Sequence, residues 1–131
     1  FTLTGVKGST ISLARYKGKV VLLDFWATWC RPCRIEMPLV QKLYDELKPK
    51  GLVAFGVNVM EEPAQVRRFL TETGVTLPVL LDRDGKVAGR YKAEGIPTLV
   101  IVGKDGKVSS YFTGVRDEAT LRAALAKAGI E

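Results

Sequence analysis

Residues 20–26, VVLLDFW, are apolar at every position except Asp24. A continuous apolar run of this kind is typical of a strand that is covered on both faces, in the middle of a sheet. A helix over about residues 33–48 is predicted directly after it, because apolar residues recur there three and four positions apart. The strand and the helix together indicate an α/β fold.

The rest of the chain continues this alternation of strands and helices. Residues 1–4 and 10–13 are separated by a turn-rich segment, which predicts a small N-terminal β-hairpin. Further strands are predicted at 52–59, 78–81, 98–102 and 108–112, and further helices at 63–73, 87–92 and 117–128. These elements predict a mixed central sheet with helices on both faces, in a single domain over residues 1–131.

Charge and composition exclude several classes of function. The chain has 20 Lys and Arg against 14 Asp and Glu, a formal net charge of +6, and no histidine. Both signs of charge alternate along the chain, which favours a solvated surface over a nucleic-acid site. The absence of histidine excludes His-containing triads and His-ligated metal sites. No apolar run approaches the ~18 residues of a membrane span. Because the sequence begins at Phe1 rather than Met, we expect a signal or anchor upstream.

Two cysteines lie between the buried strand and the first long helix, in the segment Trp29-Cys30-Arg31-Pro32-Cys33. Residues at this spacing share a helix face, so a reversible disulfide can form between them. Cys30 is expected at the helix N-terminus, where backbone N–H groups and the helix dipole favour the thiolate and lower the thiol pKa. Cys33 would then resolve a mixed disulfide with a substrate.

Other uses of the cysteine pair stay open at this point. A closed zinc site needs four ligands, which two cysteines without histidine cannot supply within one chain. A purely structural disulfide across two residues would remove little chain entropy from the unfolded state. A copper(I)-binding thiol carrier and a peroxiredoxin-like peroxidase are the alternatives to thiol-disulfide exchange. In peroxiredoxins Pro and Thr precede the nucleophile at a set spacing, whereas here Thr28 lies only two positions before Cys30.

The segment GKVVLLDFWATWCRPCRIEMP, residues 18–38, and the later segment Gly95-Ile96-Pro97-Thr98 resemble the two signature elements of the thioredoxin superfamily. The similarity is to its bacterial extracytoplasmic branch of thiol-disulfide oxidoreductases, the TlpA-like and ResA-like proteins. The resemblance implies a thioredoxin fold, in which a mixed β-sheet is flanked by helices on both faces. It also implies an N-terminal β-hairpin extension and an inserted helix-strand unit before Pro97.

The resemblance further implies a substrate groove beside the cysteines. Pro97 is expected to follow a cis peptide bond and to lie against the two sulfur atoms. Ile96 would then pair with an extended substrate segment by strand-like hydrogen bonds. Trp29, Arg31 and Pro32 would border the same groove.

Two acidic residues are candidates for proton transfer. Asp24 lies among apolar residues, where burial should raise its pKa; pairing with a lysine is the alternative. The Asp matches the buried acid of thioredoxin, whereas many proteins of the extracytoplasmic branch have Asn there. Glu36 should share a helix face with Cys33, and a solvated Glu near the helix start is the alternative. Glu61, just after the predicted strand 52–59, is a third candidate.

The predicted activity is thiol-disulfide exchange with protein disulfides through Cys30 and Cys33, in the reductive direction. No cofactor and no metal are expected, because sulfur carries both electrons. The expected partners are disulfide-containing proteins, with apocytochrome c suggested by the family resemblance, and an upstream thiol-disulfide reductant protein. We expect a monomer in an extracytoplasmic location, periplasmic or membrane-anchored, with a cytoplasmic location as the alternative.

Overall fold

The computed structural model describes residues 1–131 and contains one seven-stranded sheet. Its strands are β1 (Thr2–Gly5), β2 (Thr10–Ser12), β3 (Val21–Trp26), β4 (Val53–Val59), β5 (Val79–Asp82), β6 (Thr98–Val102) and β7 (Val108–Thr113). The helices are α1 (Arg31–Leu47), α2 (Pro63–Thr73), α3 (Lys86–Arg90) and α4 (Glu118–Ala128). The strand order is β2-β1-β5-β4-β3-β6-β7; β4 is parallel to β3 and β5, and the other neighbours are antiparallel. The predicted mixed sheet is confirmed.

Strand β3 is buried at all six of its positions, as its apolar sequence predicts. Successive side chains point to opposite faces of the sheet. Leu22 packs in a cluster with Leu43 of α1 and Leu121 of α4, whereas Leu23 packs in another cluster with Val87 of α3. Helices therefore cover both faces of the sheet.

The strand ends bring three separate segments to one edge of the sheet. Because β3 and β4 are parallel, their carboxyl ends lie side by side, with Trp26 opposite Asn58. Strand β6 runs the other way, so it begins there, with Thr98 opposite Phe25. Helix α2 packs beneath this edge, where the ring of Phe69 lies 5.0 Å from that of Trp26. Residues far apart in sequence can therefore meet at the start of α1.

The N-terminal hairpin and the inserted unit extend the sheet on its other side. Strands β1 and β2 pair as predicted, and β1 also pairs with β5. Helix α2 and strand β5 form the inserted helix-strand unit that the resemblance implies. The pairing of β1 with β5 was not predicted, because the sequence pattern of a strand does not show which distant strand it will join.

The observed helix boundaries agree best where the sequence has strong end signals. Helix α2 has the predicted bounds, because Pro63 suits its first turn and Gly74, at φ 73°, ends it. The predicted start of α1 at residue 33 was wrong by two residues. The helix begins at Arg31, and this start was missed because Arg31 and Pro32 are exposed and lie outside the apolar periodicity used to find the helix. None of the helices combines the length and the apolar character that crossing a membrane requires.

Candidate active site

Cys30 and Cys33 form a disulfide across the first turn of α1, with their Cα atoms 5.3 Å apart. Cys30 is the N-cap residue, and its sulfur accepts a hydrogen bond of 3.2 Å from the backbone N–H of Cys33. Pro32 fits the first turn because a residue there has no intrahelical partner for its N–H. Cys30 is 3% exposed and Cys33 is fully buried. Both cysteines are thus buried, and Cys30 is the slightly more exposed residue of the two.

The loop before β6 lies against this disulfide. The Ile96-Pro97 peptide bond is cis, as the family resemblance implies. The carbonyl oxygen of Ile96 is 3.6 Å from the sulfur of Cys30. Pro97 is fixed from the other side, because its carbonyl oxygen accepts a hydrogen bond of 2.8 Å from the N–H of Gly114. The two motifs that are 66 residues apart in the chain therefore form one site.

Asp24 lies beneath the site and is 1% exposed. Neither of its carboxylate oxygens has a hydrogen-bond partner, and it forms no ion pair with a lysine. Burial raises the pKa of Asp24 well above its ordinary value, and repulsion from Glu36 raises it further. The predicted desolvation is confirmed, and the alternative of a lysine pair is wrong.

Glu36 is 2% exposed, so the alternative of a solvated side chain is wrong. One of its oxygens, Oε2, accepts a hydrogen bond of 2.8 Å from the backbone N–H of Arg116, while Oε1 has no partner. Burial raises the pKa of Glu36, and the hydrogen bond and charge of Arg116 partly offset this effect. Asp24 and Glu36 are therefore two buried acids that repel each other beside the disulfide.

Glu61 holds the loop that leads into the disulfide. Its Oε1 accepts hydrogen bonds from the Thr28 N–H at 2.7 Å and from the Asn58 side-chain amide at 2.8 Å. Its Oε2 accepts a third from the Thr28 hydroxyl at 2.5 Å. Gln65 of α2 also donates to the Thr28 hydroxyl, at 3.1 Å. This carboxylate ties the end of β4 to the residues just before Cys30.

The two tryptophans differ as the sequence predicts. Trp26 is fully buried in the core, whereas Trp29 is 72% exposed beside the disulfide. Arg31 and Pro32 are exposed on the first turn of α1. All three exposed residues therefore lie where an approaching chain can contact them.

Sequence reasoning missed three members of the site. Arg116 follows β7 and reaches Glu36 across 80 positions of sequence, so no local pattern could reveal the contact. Thr28 and Asn58 were not singled out as partners of Glu61. Their places near the carboxyl ends of β3 and β4 were the available signal, because parallel strands end at the same edge. No group of three or more His, Cys, Asp and Glu side chains is placed to hold a metal ion.

Comparisons with known proteins agree on one family. Residues 1–111 match the AhpC/TSA family. The chain is 40% identical over 114 residues to the thiol-disulfide oxidoreductase ResA of Geobacillus kaustophilus. That match covers 87% of the chain and 66% of the relative, so the chain spans just under two thirds of that relative's length.

Solved structures show the same fold. A Chlorobium tepidum protein, provisionally assigned as the thiol:disulfide interchange protein DsbE, is 32% identical with a TM-score of 0.90, covering 98% of this chain and 93% of its own. The exposed lipoprotein thioredoxin Etrx1 of Streptococcus pneumoniae is 29% identical with a TM-score of 0.85. That match covers 96% of this chain and 98% of the pneumococcal chain. The fold over nearly the whole chain is thus that of thioredoxin-like redox proteins.

Proposed function

The chain belongs to the AhpC/TSA family, among the thiol-disulfide oxidoreductases of the thioredoxin superfamily, and we propose that it reduces disulfides of client proteins. The observation that carries the proposal is the Cys30–Cys33 disulfide at the start of α1, with the backbone carbonyl of Ile96 next to the Cys30 sulfur. The direction of electron flow, the clients and the electron donor are parts of the proposal.

Cys30 is proposed as the attacking sulfur. It lies at the N-terminus of a 17-residue helix and already accepts the N–H of Cys33. A hydrogen bond to sulfur and the positive end of the helix dipole both favour the thiolate over the thiol. Cys33 lies deeper and has no comparable exposure, which suits a resolving thiol.

The exchange balances in two steps. In the first, the Cys30 thiolate attacks one sulfur of the client disulfide, so a mixed disulfide forms and the other client sulfur leaves as a thiolate. In the second, Cys33 loses its proton and attacks the Cys30 sulfur, which releases the second client thiolate and closes the Cys30–Cys33 disulfide. Two electrons pass from the protein to the client. A separate dithiol protein must then reduce the pair again.

Asp24 and Glu36 are proposed to take up the proton of Cys33. A base for this step must change protonation near the working pH, and the raised pKa of each buried acid favours that. Neither acid forms an ion pair with a lysine or arginine side chain, although the charge of Arg116 partly stabilises the ionised form of Glu36. Their mutual repulsion means that a proton on one acid favours ionisation of the other.

Client binding is proposed at the loop before β6. An extended client segment would lie along Ile96, whose carbonyl already faces the Cys30 sulfur, and would form strand-like hydrogen bonds there. Pro97 would shape the floor of this groove. Trp29, Arg31 and Pro32 would border it.

The roles of the two cysteines are tested by trapping. With a peptide disulfide as substrate, Cys33→Ser should accumulate a mixed disulfide on Cys30, because the second step is removed. Cys30→Ser should accumulate none, because its remaining thiol is buried. Mass spectrometry without reductant measures both adducts. Equal trapping by the two variants would contradict the assigned roles.

The direction of exchange is tested by the reduction potential of the pair. A value near thioredoxin's ~−270 mV would agree with a reductant, and one near the ~−120 mV of a strong oxidant would contradict it. The family resemblance favours apocytochrome c as a client, with general periplasmic reduction as the alternative. An extracytoplasmic location is proposed on the same resemblance and on the likeness to an exposed lipoprotein thioredoxin.

The two alternative functions have less support. The ResA relative and the Chlorobium protein are named for thiol-disulfide exchange rather than for peroxide reduction or copper transport. The two thiols are the only cysteines, and no third ligand group stands beside them. Peroxide turnover, or retention of one Cu(I) per chain against a chelator, would revive the respective alternative.

A further inference from the structure

Three arginines surround the start of α1, and their arrangement indicates which clients the proposed function would serve. Arg31 and Arg34 directly follow the two cysteines and are exposed. Arg116 lies in the loop between β7 and α4 and is joined to α1 through its backbone N–H on Glu36. Two of the cationic residues therefore adjoin the cysteines in α1, and the third belongs to a loop that contacts α1 at Glu36.

None of these arginines has an acidic partner. The ion pairs of the structure lie elsewhere, and they join Lys42 and Arg122 to Glu118, Arg122 to Glu46, Arg83 to Glu62, and Lys86 to Asp84. Glu36 accepts a hydrogen bond from the backbone N–H of Arg116 but forms no ion pair with its guanidinium. Arg31, Arg34 and Arg116 thus form no close ion pair within the chain, and only Arg116 interacts with a buried acid, Glu36, at longer range.

Two of the guanidinium groups are held in place over aromatic rings. The Cζ atom of Arg34 lies 5.3 Å from the ring centre of Phe69, and that of Arg116 lies 5.7 Å from the ring centre of Phe112. A stacked guanidinium keeps N–H groups on its edge free for a carboxylate. Because the side chain is already ordered, less conformational entropy is lost when a carboxylate binds.

Apolar residues are exposed in the same region. Of the six large hydrophobic residues that are exposed in the chain, three lie here, namely Trp29, Ile35 and Val115. Exposed apolar side chains grouped beside polar ones mark interaction surfaces more often than scattered ones do. We call this surface the arginine face; it consists of Trp29, Arg31, Arg34, Ile35, Val115 and Arg116.

We propose that the arginine face binds an extended client segment in which acidic residues flank the disulfide-bonded cysteine. This inference rests on the proposed function and adds the chemical class of its substrate. The arginines, none of which forms an ion pair within the chain, supply charge complementarity to the acidic residues, and the apolar residues supply contact area between them. The occupant is a protein segment because the face includes Trp29 and Arg31, the two neighbours of Cys30, and the Cys30 sulfur lies 3.6 Å from the Ile96 carbonyl, which suits a cysteine in an extended chain.

Three synthetic peptides test this proposal. They share one intramolecular disulfide and differ only in the residues flanking each cysteine, which are Glu, Gln or Lys. The reduced chain is mixed with each peptide, and the second-order rate constant of peptide reduction is measured at low and high salt. We expect the Glu peptide to be reduced about fivefold faster than the Lys peptide at low salt, as one or two exposed ion pairs would give. High salt should bring the two rates together.

Two variants with equal charge changes locate the effect. R31Q/R34Q/R116Q should bring the ratio of the Glu and Lys rates close to one. K19Q/K104Q/K107Q removes the same charge at the opposite end of β3 and β6 and should keep the wild-type ratio. The ratio is compared within each variant, so a change in the reactivity of the pair itself cancels.

The outcomes separate this inference from the proposed function. Equal rates for the three peptides with the wild-type chain would overturn the acidic-client proposal and leave thiol-disulfide reduction standing. A ratio that survives R31Q/R34Q/R116Q, or is lost in K19Q/K104Q/K107Q, would overturn the arginine face as its source. If even the Gln peptide is not reduced, the proposed function fails and the inference fails with it.

Discussion

The candidate site contains three buried acids, and Glu61 differs from Asp24 and Glu36 in how completely its carboxylate oxygens are hydrogen-bonded. Glu61 accepts hydrogen bonds on both oxygens, from Thr28 and Asn58. Asp24 and Glu36 have four carboxylate oxygens between them, and three of the four have no partner. All three carboxyl groups are buried, but only that of Glu61 is fully hydrogen-bonded.

The difference in hydrogen bonding separates a structural role from a chemical one. A carboxylate with three donors fixes the position of those donors, so Glu61 is expected to hold the loop before Cys30 in place. A buried carboxyl group with few donors prefers to keep its proton, as the raised pKa values of Asp24, which has none, and Glu36, which has one, reflect. We therefore expect substitutions of Glu61 to change stability, and substitutions of the other two acids to change pH dependence.

The largest effect is expected for Glu61→Ala. The change leaves the Asn58 amide and the Thr28 N–H without their acceptor, and each such loss costs about 1–3 kcal/mol when the group is buried. We expect a decrease of about 3 kcal/mol in the free energy of unfolding, measured by urea denaturation. Glu62→Ala is the matched control, because that side chain is 75% exposed and pairs only with Arg83 at the surface. The control should lose less than about 1 kcal/mol, and equal losses would contradict the role of Glu61.

A smaller, pH-dependent effect is expected for Asp24→Asn. Because folding raises the pKa of Asp24, its contribution to stability is complete below the unfolded pKa of about 3.9 and is lost as pH rises through the folded pKa. The Asn variant cannot ionise, so it avoids this loss. At pH 8 we expect it to exceed the wild type by about 1–2 kcal/mol in unfolding free energy. Denaturation at pH 4, 6 and 8 measures the difference; parallel curves would show that Asp24 does not titrate as proposed.

The smallest effect is expected for Glu36→Gln. Its direction is the same, because burial also raises the pKa of Glu36, but the Arg116 N–H already stabilises the carboxylate. We expect a gain below about 1 kcal/mol at pH 8. The double variant with Asp24→Asn gives the coupling between the two acids. Because Glu36 raises the pKa of Asp24, the two single effects should sum to more than the double one. Strict additivity would mean that the acids act independently.

Local sequence signals predicted most of the fold. The buried strand β3, the helix α2 and the strand β6 follow from apolar runs, a proline and a glycine that act within a few residues. The start of α1 was misplaced because its first two residues, Arg31 and Pro32, are exposed and lie outside the apolar periodicity. The pairing of β1 with β5 lay beyond such signals, because it depends on which edges of the sheet remain free.

The candidate site was predictable to the extent that its residues lie in two short motifs. Cys30, Cys33 and the cis peptide at Pro97 are found where the family resemblance implies. The desolvation of Asp24 followed from its apolar neighbours in β3. The Arg116 partner of Glu36 could not be predicted, because a hydrogen bond across 80 positions depends on the completed sheet. The Glu61 partners Thr28 and Asn58 were missed, although both lie near the ends of two predicted strands.

Only 3% of the Cys30 surface reaches solvent, and the Ile96 carbonyl borders it on one side. Under the proposed function, the sulfur of a client disulfide would therefore have to lie on a narrow, protruding segment of backbone. A broad folded surface would contact Trp29 and Ile96 before its sulfur reached Cys30. Steric fit would then select the clients, and disulfides buried inside folded proteins would not be reduced.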